Sequence, residues 1–254
     1  MKSIFITGAA GGIGLATARR FAAKGYLVGL YDINQAGLDE AIASGDFPNA
    51  CSGICDVTSR ESIETALADF SHRSNGQCDI LVNNAGVLTA GAFDAISEQA
   101  HDLMIDVNVK GFTHVAQAGF PYLKATPGAC MVNLCSASSI HGVPNLAVYS
   151  ASKFYVNGIT QALHIEWARH DIRVTCVKPD LVDTPMAHAV NAAATGEREI
   201  GLTPEDIAAA IDKAAHGRRV GHVVGTPARL WALIDKFLPE FLRLKMVQRL
   251  ASER

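Results

Sequence analysis

The chain of 254 residues is expected to fold as an α/β protein, a doubly wound Rossmann-type parallel sheet of about seven strands with helices on both faces. Three observations lead there. Short apolar runs recur along the sequence, longer segments of helical period separate them, and a glycine-rich turn follows the first run and opens the first helical segment.

The runs occupy residues 4–7, 27–31, 50–55, 80–83, 130–135, 173–177 and 222–224. Most are continuously apolar rather than alternating, as in strands buried on both faces of a parallel sheet. The first helix is read from Ile13, Ala16, Thr17, Arg20, Phe21 and Lys24 at helical spacing. Thr58 and Glu61 form an expected capping box ahead of Ile63, Ala66, Leu67 and Phe70. Ser97 caps the segment that follows it, and residues 147–167 read as one long helix. Thr203-Pro204-Glu205-Asp206 puts a cap, a first-turn proline and two acids at one helix start, with Gly217 as the stop. Right-handed crossovers then place helices on both faces. No Pro/Ser-rich linker, low-complexity block or solenoid repeat breaks the alternation. Residues 1–225 are therefore read as one domain, and 226–254 as its amphipathic helical extension.

Composition narrows the function classes. Apolar residues make up 49% and charged residues 19%, which excludes a disordered chain. The net charge of -3 gives no reason to expect nucleic acid. Cys51, Cys55, Cys78, Cys130, Cys135 and Cys176 form no C-x-x-C pair and read as small buried hydrophobes in a reducing compartment. The nine histidines show no metal-ligand spacing, so no catalytic metal is expected. The first apolar run is too short for a secretory leader, and no run of about 20 apolar residues is present to span a bilayer. A cytoplasmic location is the default expectation.

The turn Thr7-Gly8-Ala9-Ala10-Gly11-Gly12-Ile13-Gly14 lies between a strand and a helix. Glycines there allow close approach to a pyrophosphate, and the helix N-terminus supplies free N–H groups. Asp32 ends the second run, where an acid binds the adenosine ribose hydroxyls and repels a 2′-phosphate. No lysine or arginine occupies positions 9–13 or 33 to offset it, so NAD is favoured over NADP. The competing reading of Asp32 is a residue that merely starts the Asp32-Ile33-Asn34 turn.

With these residues in view, the sequence resembles the short-chain dehydrogenase/reductase family over roughly residues 3 to 225. The loop Thr7-Gly8-x-x-x-Gly12-Ile13-Gly14 is similar to its TGxxxGIG, Asn83-Asn84-Ala85-Gly86 to its NNAG element, and Asn108 to its helix asparagine. Ser136 lies thirteen residues before Tyr149, and Tyr149-Ser150-Ala151-Ser152-Lys153 matches YxxxK. The resemblance implies adenine contacts from Asp56 and Val57, and a cofactor cleft lined by Asn83, Ala85 and Gly86. It also implies contacts from Pro179, Val182 and Thr184 near the nicotinamide. One departure stands out: Asp180 follows Pro179 where the family usually has glycine.

Carbonyl reduction needs a hydride at carbon and a proton at oxygen. Tyrosine can supply the proton, and a nearby cation is expected to lower its pKa. Lys153, at i+4 on a helix, shares a face with Tyr149. Ser136 follows the fifth run, at a strand's carboxyl end, and can hydrogen-bond the substrate oxygen. By the resemblance, Lys153 also binds the nicotinamide ribose, and Asn108 holds a water that links Lys153 to solvent. Ser138 and Ser139 are equivalent in type; spacing to Tyr149 selects Ser136. Tyr155 is a second tyrosine, without a lysine one turn ahead.

The substrate side is expected to draw on His141, Val143, Leu146, Met186 and His188, within a region that extends over residues 183–202. His141 reads either as a polar substrate contact or as a solvated loop histidine. The tail carries six basic and three acidic residues, Glu253 and Arg254 among them, among apolar positions such as Leu230, Trp231 and Phe237. Pro239 is expected to separate two short helices. The tail reads as an extension packed on its own body or a partner subunit, as a pocket lid, or as an interfacial membrane anchor. The expected activity is hydride transfer between NAD and a small-molecule secondary alcohol or ketone, by a homodimer or homotetramer. An epimerase or dehydratase of the same superfamily and a non-catalytic dinucleotide sensor are the rivals.

Overall fold

The computed structural model describes residues 1–188 and 200–252, the last four by backbone alone. Residues 189–199 of the expected substrate region, and Glu253 and Arg254 of the tail, lie outside the described residues.

Seven strands form one sheet: β1 Ser3–Thr7, β2 Leu27–Asp32, β3 Ala50–Ile54, β4 Ile80–Asn83, β5 Cys130–Leu134, β6 Arg173–Pro179 and β7 Gly221–Val224. Their order is β3-β2-β1-β4-β5-β6-β7, and each neighbouring pair is parallel. The strand order reverses between β1 and β4, which opens a crevice at the strands' carboxyl ends.

Side chains alternate across the sheet. Ile4, Ile6, Val28, Leu30, Ile80 and Val82 face one core, together with α1 Gly12–Ala22, α2 Gln35–Ala43 and α7 Pro204–His216. Phe5, Tyr31, Leu81 and Met131 face the other, packed with α3 Arg60–Arg73, α5 Phe112–Lys124 and α6 Ala147–Trp167. Fully burying one such large apolar side chain contributes about 1.5–3 kcal/mol, so two dry faces hold the sheet. Burial on both faces fails at the edges: Ile54 of β3 is 45% exposed, and β7 begins exposed. Each edge strand has one neighbour, and less of the molecule covers it.

The expected helix signals are mostly seen. Ser97 accepts from the Ala100 N–H at the start of α4 Glu98–Ile105. Thr203 and Asp206 close a reciprocal capping box, and Gly217 follows the last turn of α7. The box at Thr58 is a correction. The Asp56 carboxylate accepts the Thr58 N–H at 2.9 Å and its hydroxyl at 2.7 Å, so the cap passes to Ser59, which accepts from the Ser62 N–H. Between α4 and α5 the chain widens into a π-helical stretch, Asp106–Gly111, a distortion that often marks functional helices. Beyond β7 follow α8 Thr226–Phe237 and α9 Glu240–Ser252, with Pro239 between them. Among the described residues no helix is long and apolar enough to cross a membrane.

The contact of α1 with α7 is closed by charge. Asp212 is nearly buried and accepts from Arg20 Nε at 2.8 Å and from Lys24 Nζ. Burial opposes its charge, but the Lys24 and Arg20 hydrogen bonds prevail and hold the carboxyl below the usual range. Asp212→Asn should therefore lower stability at neutral pH by about 1–2 kcal/mol, since both cations are partly solvated. Because the folded-state pKa is depressed, the wild-type advantage is present above the ordinary aspartate range and is lost as pH falls through the depressed value. Urea midpoints of the two proteins at several pH values measure both effects.

Candidate active site

At the end of β1 the backbone turns at Gly8, with φ +66°. A Cβ there would lie 2.9 Å from Asn84 Nδ2 and 3.0 Å from Ala85 Cα. A Cβ on Gly14 would overlap the Gly8 carbonyl oxygen. The first turn of α1 is thus pressed onto the strand end, a packing only hydrogen permits. No side chain caps α1, so its first N–H groups and positive end face the crevice. Gly14 lies beneath the cleft wall rather than on it, while Gly8, Gly12 and Ile13 line the cleft.

Asp32, at the end of β2, accepts from the Ala10 N–H through Oδ2 and from the Asn34 N–H through Oδ1, both at 2.9 Å. The two readings of Asp32 are compatible: it fixes its own turn and still lines the cleft. A carboxylate has about four lone-pair sites, so two N–H donors leave acceptor capacity. Among the described residues, Lys153 is the only lysine or arginine on the cleft wall. Asp56 and Val57 lie on the wall beyond β3.

The crevice is tied across its base. Thr7 Oγ1 accepts the N–H groups of Asn84 at 3.0 Å and Ala85 at 3.1 Å. Asn84 Nδ2 donates to the carbonyls of Thr7 and Gly8, each at 2.9 Å. Asn84, Ala85 and Gly86 line the cleft. Asn83, expected there, instead turns its amide into the core and donates to the Phe112 carbonyl at 2.9 Å. Strand alternation explains the exchange: Val82 faces the α1 side, so Asn83 faces α5.

The other half of the cleft is built on β5 and α6. Ser136 follows β5 and caps a short turn; its Oγ accepts from the Ser138 N–H at 3.2 Å and hydroxyl at 2.9 Å. Ser139 is committed to the Ser136 carbonyl at 2.6 Å. Tyr149 and Lys153 project from α6 into the same cavity as Ser136. Lys153 is 5% exposed; its Nζ donates to the Leu134 carbonyl at 3.1 Å and lies 5.5 Å from the centre of the Tyr149 ring. Burial lowers the Lys153 pKa. Burial pushes the Tyr149 phenol up to about 12, and the Ser136 hydrogen bond offsets only part of that rise. This corrects the expectation that the lysine lowers the phenol's pKa: desolvation dominates both groups. Tyr155 points elsewhere, its hydroxyl 2.7 Å from Thr113 Oγ1.

Asn108 sits in the π-helical stretch, 2% exposed. Its amide exchanges two hydrogen bonds with Val87, accepting the N–H at 2.9 Å and donating to the carbonyl at 2.8 Å. Gly86 lies between Asn108 and Lys153: a Cβ there would stand 3.2 Å from Asn108 Oδ1 and 3.6 Å from Lys153 Nζ.

The whole cleft encloses about 970 Å³, the top of the range of about 300–1,000 Å³ typical of small-molecule sites. Pro179, Val182 and Thr184 line it after β6, and His141, Val143, Leu146 and Met186 line its far side. His188 is not on that wall; it pairs with Asp183 at the surface, 2.8 Å away. Asp180 fits in place of glycine without left-handed backbone, since Asn75, Asn145 and Asp171 are the non-glycine residues of positive φ among those described. Its carboxylate accepts the Leu181 N–H at 3.0 Å, and it stands against Gly225. Leu103, Trp231 and Val247 also line the cleft but carry no local signal that would have assigned them to it.

A family model described as short chain dehydrogenase matches residues 2–195. An uncharacterised oxidoreductase of Staphylococcus epidermidis is 36% identical over 83% of this chain and 89% of its own length. The structure of a 3-ketoacyl-(acyl-carrier-protein) reductase from Brucella melitensis complexed with NADH is similar with a TM-score of 0.78 and 28% identity, over 88% of this chain and 96% of that one. An alcohol dehydrogenase from Thermococcus sibiricus complexed with 5-hydroxy-NADP is similar with a TM-score of 0.77 and 26% identity, over the same shares.

The glycine packing gives a direct test. Gly14→Ala must part α1 from β1, and should lower stability by about 1–3 kcal/mol and dinucleotide affinity at least tenfold. Thermal unfolding and a fluorescence titration with NADH measure the two losses.

Proposed function

The chain belongs to the short-chain dehydrogenase family and is an oxidoreductase of it; from that premise we propose that it interconverts a secondary alcohol and its ketone with NAD as cofactor. The observation that carries the reading is the convergence of Ser136, Tyr149 and Lys153 on one cavity whose opposite end holds the glycine turn and Asp32. The ketoacyl and alcohol substrates in the names of the similar structures are in keeping with it.

The residues present fit a dinucleotide. The uncapped start of α1, with Gly8, Gly12 and Ile13, is a cradle for the pyrophosphate. Asp32 has acceptor capacity for the ribose hydroxyls, and no described cation on the wall near it would balance a 2′-phosphate. Both features favour NAD. Asp56 and Val57 serve the adenine, Ala85 and Gly86 the cleft wall, and Lys153 the second ribose. Pro179, Val182 and Thr184 hold the carboxamide. When bound, the nicotinamide supplies or accepts the hydride at the substrate carbon.

The chain's own groups handle the proton and the oxygen. In reduction, Tyr149 Oη gives its proton to the carbonyl oxygen as the C–H bond forms, and Ser136 Oγ hydrogen-bonds that oxygen as its charge develops. In oxidation the phenolate takes the alcohol proton back. Lys153 stabilises the phenolate when it forms. Gly86 keeps the space between Asn108 Oδ1 and Lys153 Nζ open, the route by which the Tyr149 proton is replaced. On this reading the enzyme works in the cytoplasm as a homodimer or homotetramer, and its six buried, free cysteines suit a reducing compartment.

A panel of alcohols and ketones followed at the reduced-nicotinamide absorbance, with NAD and with NADP, tests the proposal. Turnover is expected, with NAD preferred. In Tyr149→Phe, kcat should fall about 10²- to 10⁴-fold, with dinucleotide affinity within a few-fold of wild type. Unchanged kcat in that variant would remove Tyr149 from the mechanism.

The pH profiles differ by direction. A phenol with a pKa of about 12 is protonated throughout the neutral range, so kcat/KM for ketone reduction should be flat there. Alcohol oxidation needs the phenolate, so its kcat/KM should climb with pH through the mildly alkaline range. Initial rates in both directions across neutral and alkaline buffers check this; an oxidation limb that falls on raising the pH contradicts it.

A further inference from the structure

The cleft that holds Tyr149 also has an apolar stretch of wall, here called the substrate chamber, that the proposed cofactor contacts do not use. Its walls include Leu88, Leu103, Val143 and Met186, joined by Trp231 from α8 and Val247 from α9. Both helices lie beyond residue 195, where the family match ends, so this part of the wall belongs to the chain's own extension. The Trp231 ring lies 4.9 Å from the His141 ring, tilted by 40°. His141 stands on the segment that joins the Ser136 turn to α6, so the ring pair connects the tail directly to the segment between Ser136 and Tyr149. Two further observations agree with that placement. Pro227 and the buried Ala228, at the start of α8, also line the cavity. Leu244 and Val247 of α9 share a shallow groove with Val143, Pro144 and Ala147 on the same segment.

We propose that Trp231 is a specificity-determining residue: with His141 it forms the distal wall of the substrate chamber and selects carbonyl compounds that carry a bulky, flat apolar group. The reading of the site as a carbonyl/alcohol oxidoreductase underlies this inference. Leu88, Leu103, Val143, Met186, Trp231 and Val247 have no ionisable side chain, so a charged substrate group laid on that part of the wall loses water without gaining an ion pair from it. An aromatic or fused-ring group meets the indole face in an offset or edge-on arrangement and displaces water from apolar wall. A short aliphatic ketone offers the same carbonyl to Ser136 and Tyr149 but has no flat group to lay against Trp231.

The test compares tetralone, a bicyclic aryl ketone, with butanone in wild type, Trp231→Ala and Trp231→Phe. In Trp231→Ala the ratio of kcat/KM for tetralone over butanone should fall about tenfold or more, mainly through KM, because the lost contact is made equally before and during reaction. Trp231→Phe keeps an aromatic wall and should recover most of the ratio. NADH affinity within a few-fold of wild type shows that each variant is folded. An unchanged ratio in Trp231→Ala overturns the proposal. Calorimetric binding of tetralone to the enzyme saturated with NAD, which cannot reduce it, reads the chamber without turnover: weaker binding in Trp231→Ala supports the proposal, and equal binding or no binding to wild type overturns it. Wild type that reduces no ketone with either dinucleotide refutes the oxidoreductase substrate reading, while the calorimetry still decides the role of Trp231.

Discussion

Between β1 and β4 the crossovers part, one set of connections running toward β3 and the other toward β7. A sheet that divides there must still hold its strand ends together, with unpaired backbone groups at the bottom of an open crevice. Thr7 and Asn84 meet that demand. The threonine hydroxyl takes two N–H groups from the β4 side, and the asparagine amide donates to two carbonyls on the β1 side. With those groups satisfied, Gly8 can turn sharply, Gly14 can bring α1 onto the turn, and Ala85 and Gly86 can run along the cleft wall. The positive end of α1 and the chemistry on α6 face each other across this one tie.

Burial is the dominant electrostatic influence at the reacting end. It disfavours both charged forms, raising the phenol of Tyr149 and lowering the ammonium of Lys153. On the proposed mechanism the pair is therefore poised for a proton to be handed over when charge develops on a substrate oxygen, instead of resting as a standing ion pair. Asp212 shows the opposite balance. Arg20 of α1 and Lys24 just beyond its end reach it, and their hydrogen bonds outweigh its desolvation, so it stays charged and serves to lock helices. Burial thus prevails at Tyr149 and Lys153 and is outweighed at Asp212, because of what faces each group.

Much of this was legible in the residues. Continuous apolar runs located the strands within one or two positions, because strands buried on both faces have few polar residues to confuse their limits. The glycine turn and the serine, tyrosine and lysine spacings located both ends of the cleft, because those constraints are local to one turn or one helix face. Other features were not local. Thr58 has the type and spacing of a cap, but Asp56 competes for its hydrogen bonds, and the winner depends on how β3 meets α3. Asn83 and Asn84 are of the same type, and only the side of the sheet taken by Val82 separates them. The tail's amphipathic pattern showed that one face must be covered, without saying by what; the packing of Trp231 on His141 is a contact across 90 residues of sequence. The rise of the Tyr149 pKa reflects the enclosing volume and has no signature in a four-residue spacing.

The bond between Arg20 and Asp212 joins residues 192 positions apart. Synthesis delivers α1 early and α7 late, and the ribosome adds only about 5–20 residues per second. Throughout that interval Phe21 and Ala18, which end up in one core with residues of α7, lack that helix. The nascent chain consequently holds an apolar helix face without its partner for many seconds, a state that invites association with other unfinished chains. Closure of this core face is in that sense a late event, set by how far apart α1 and α7 stand in the chain.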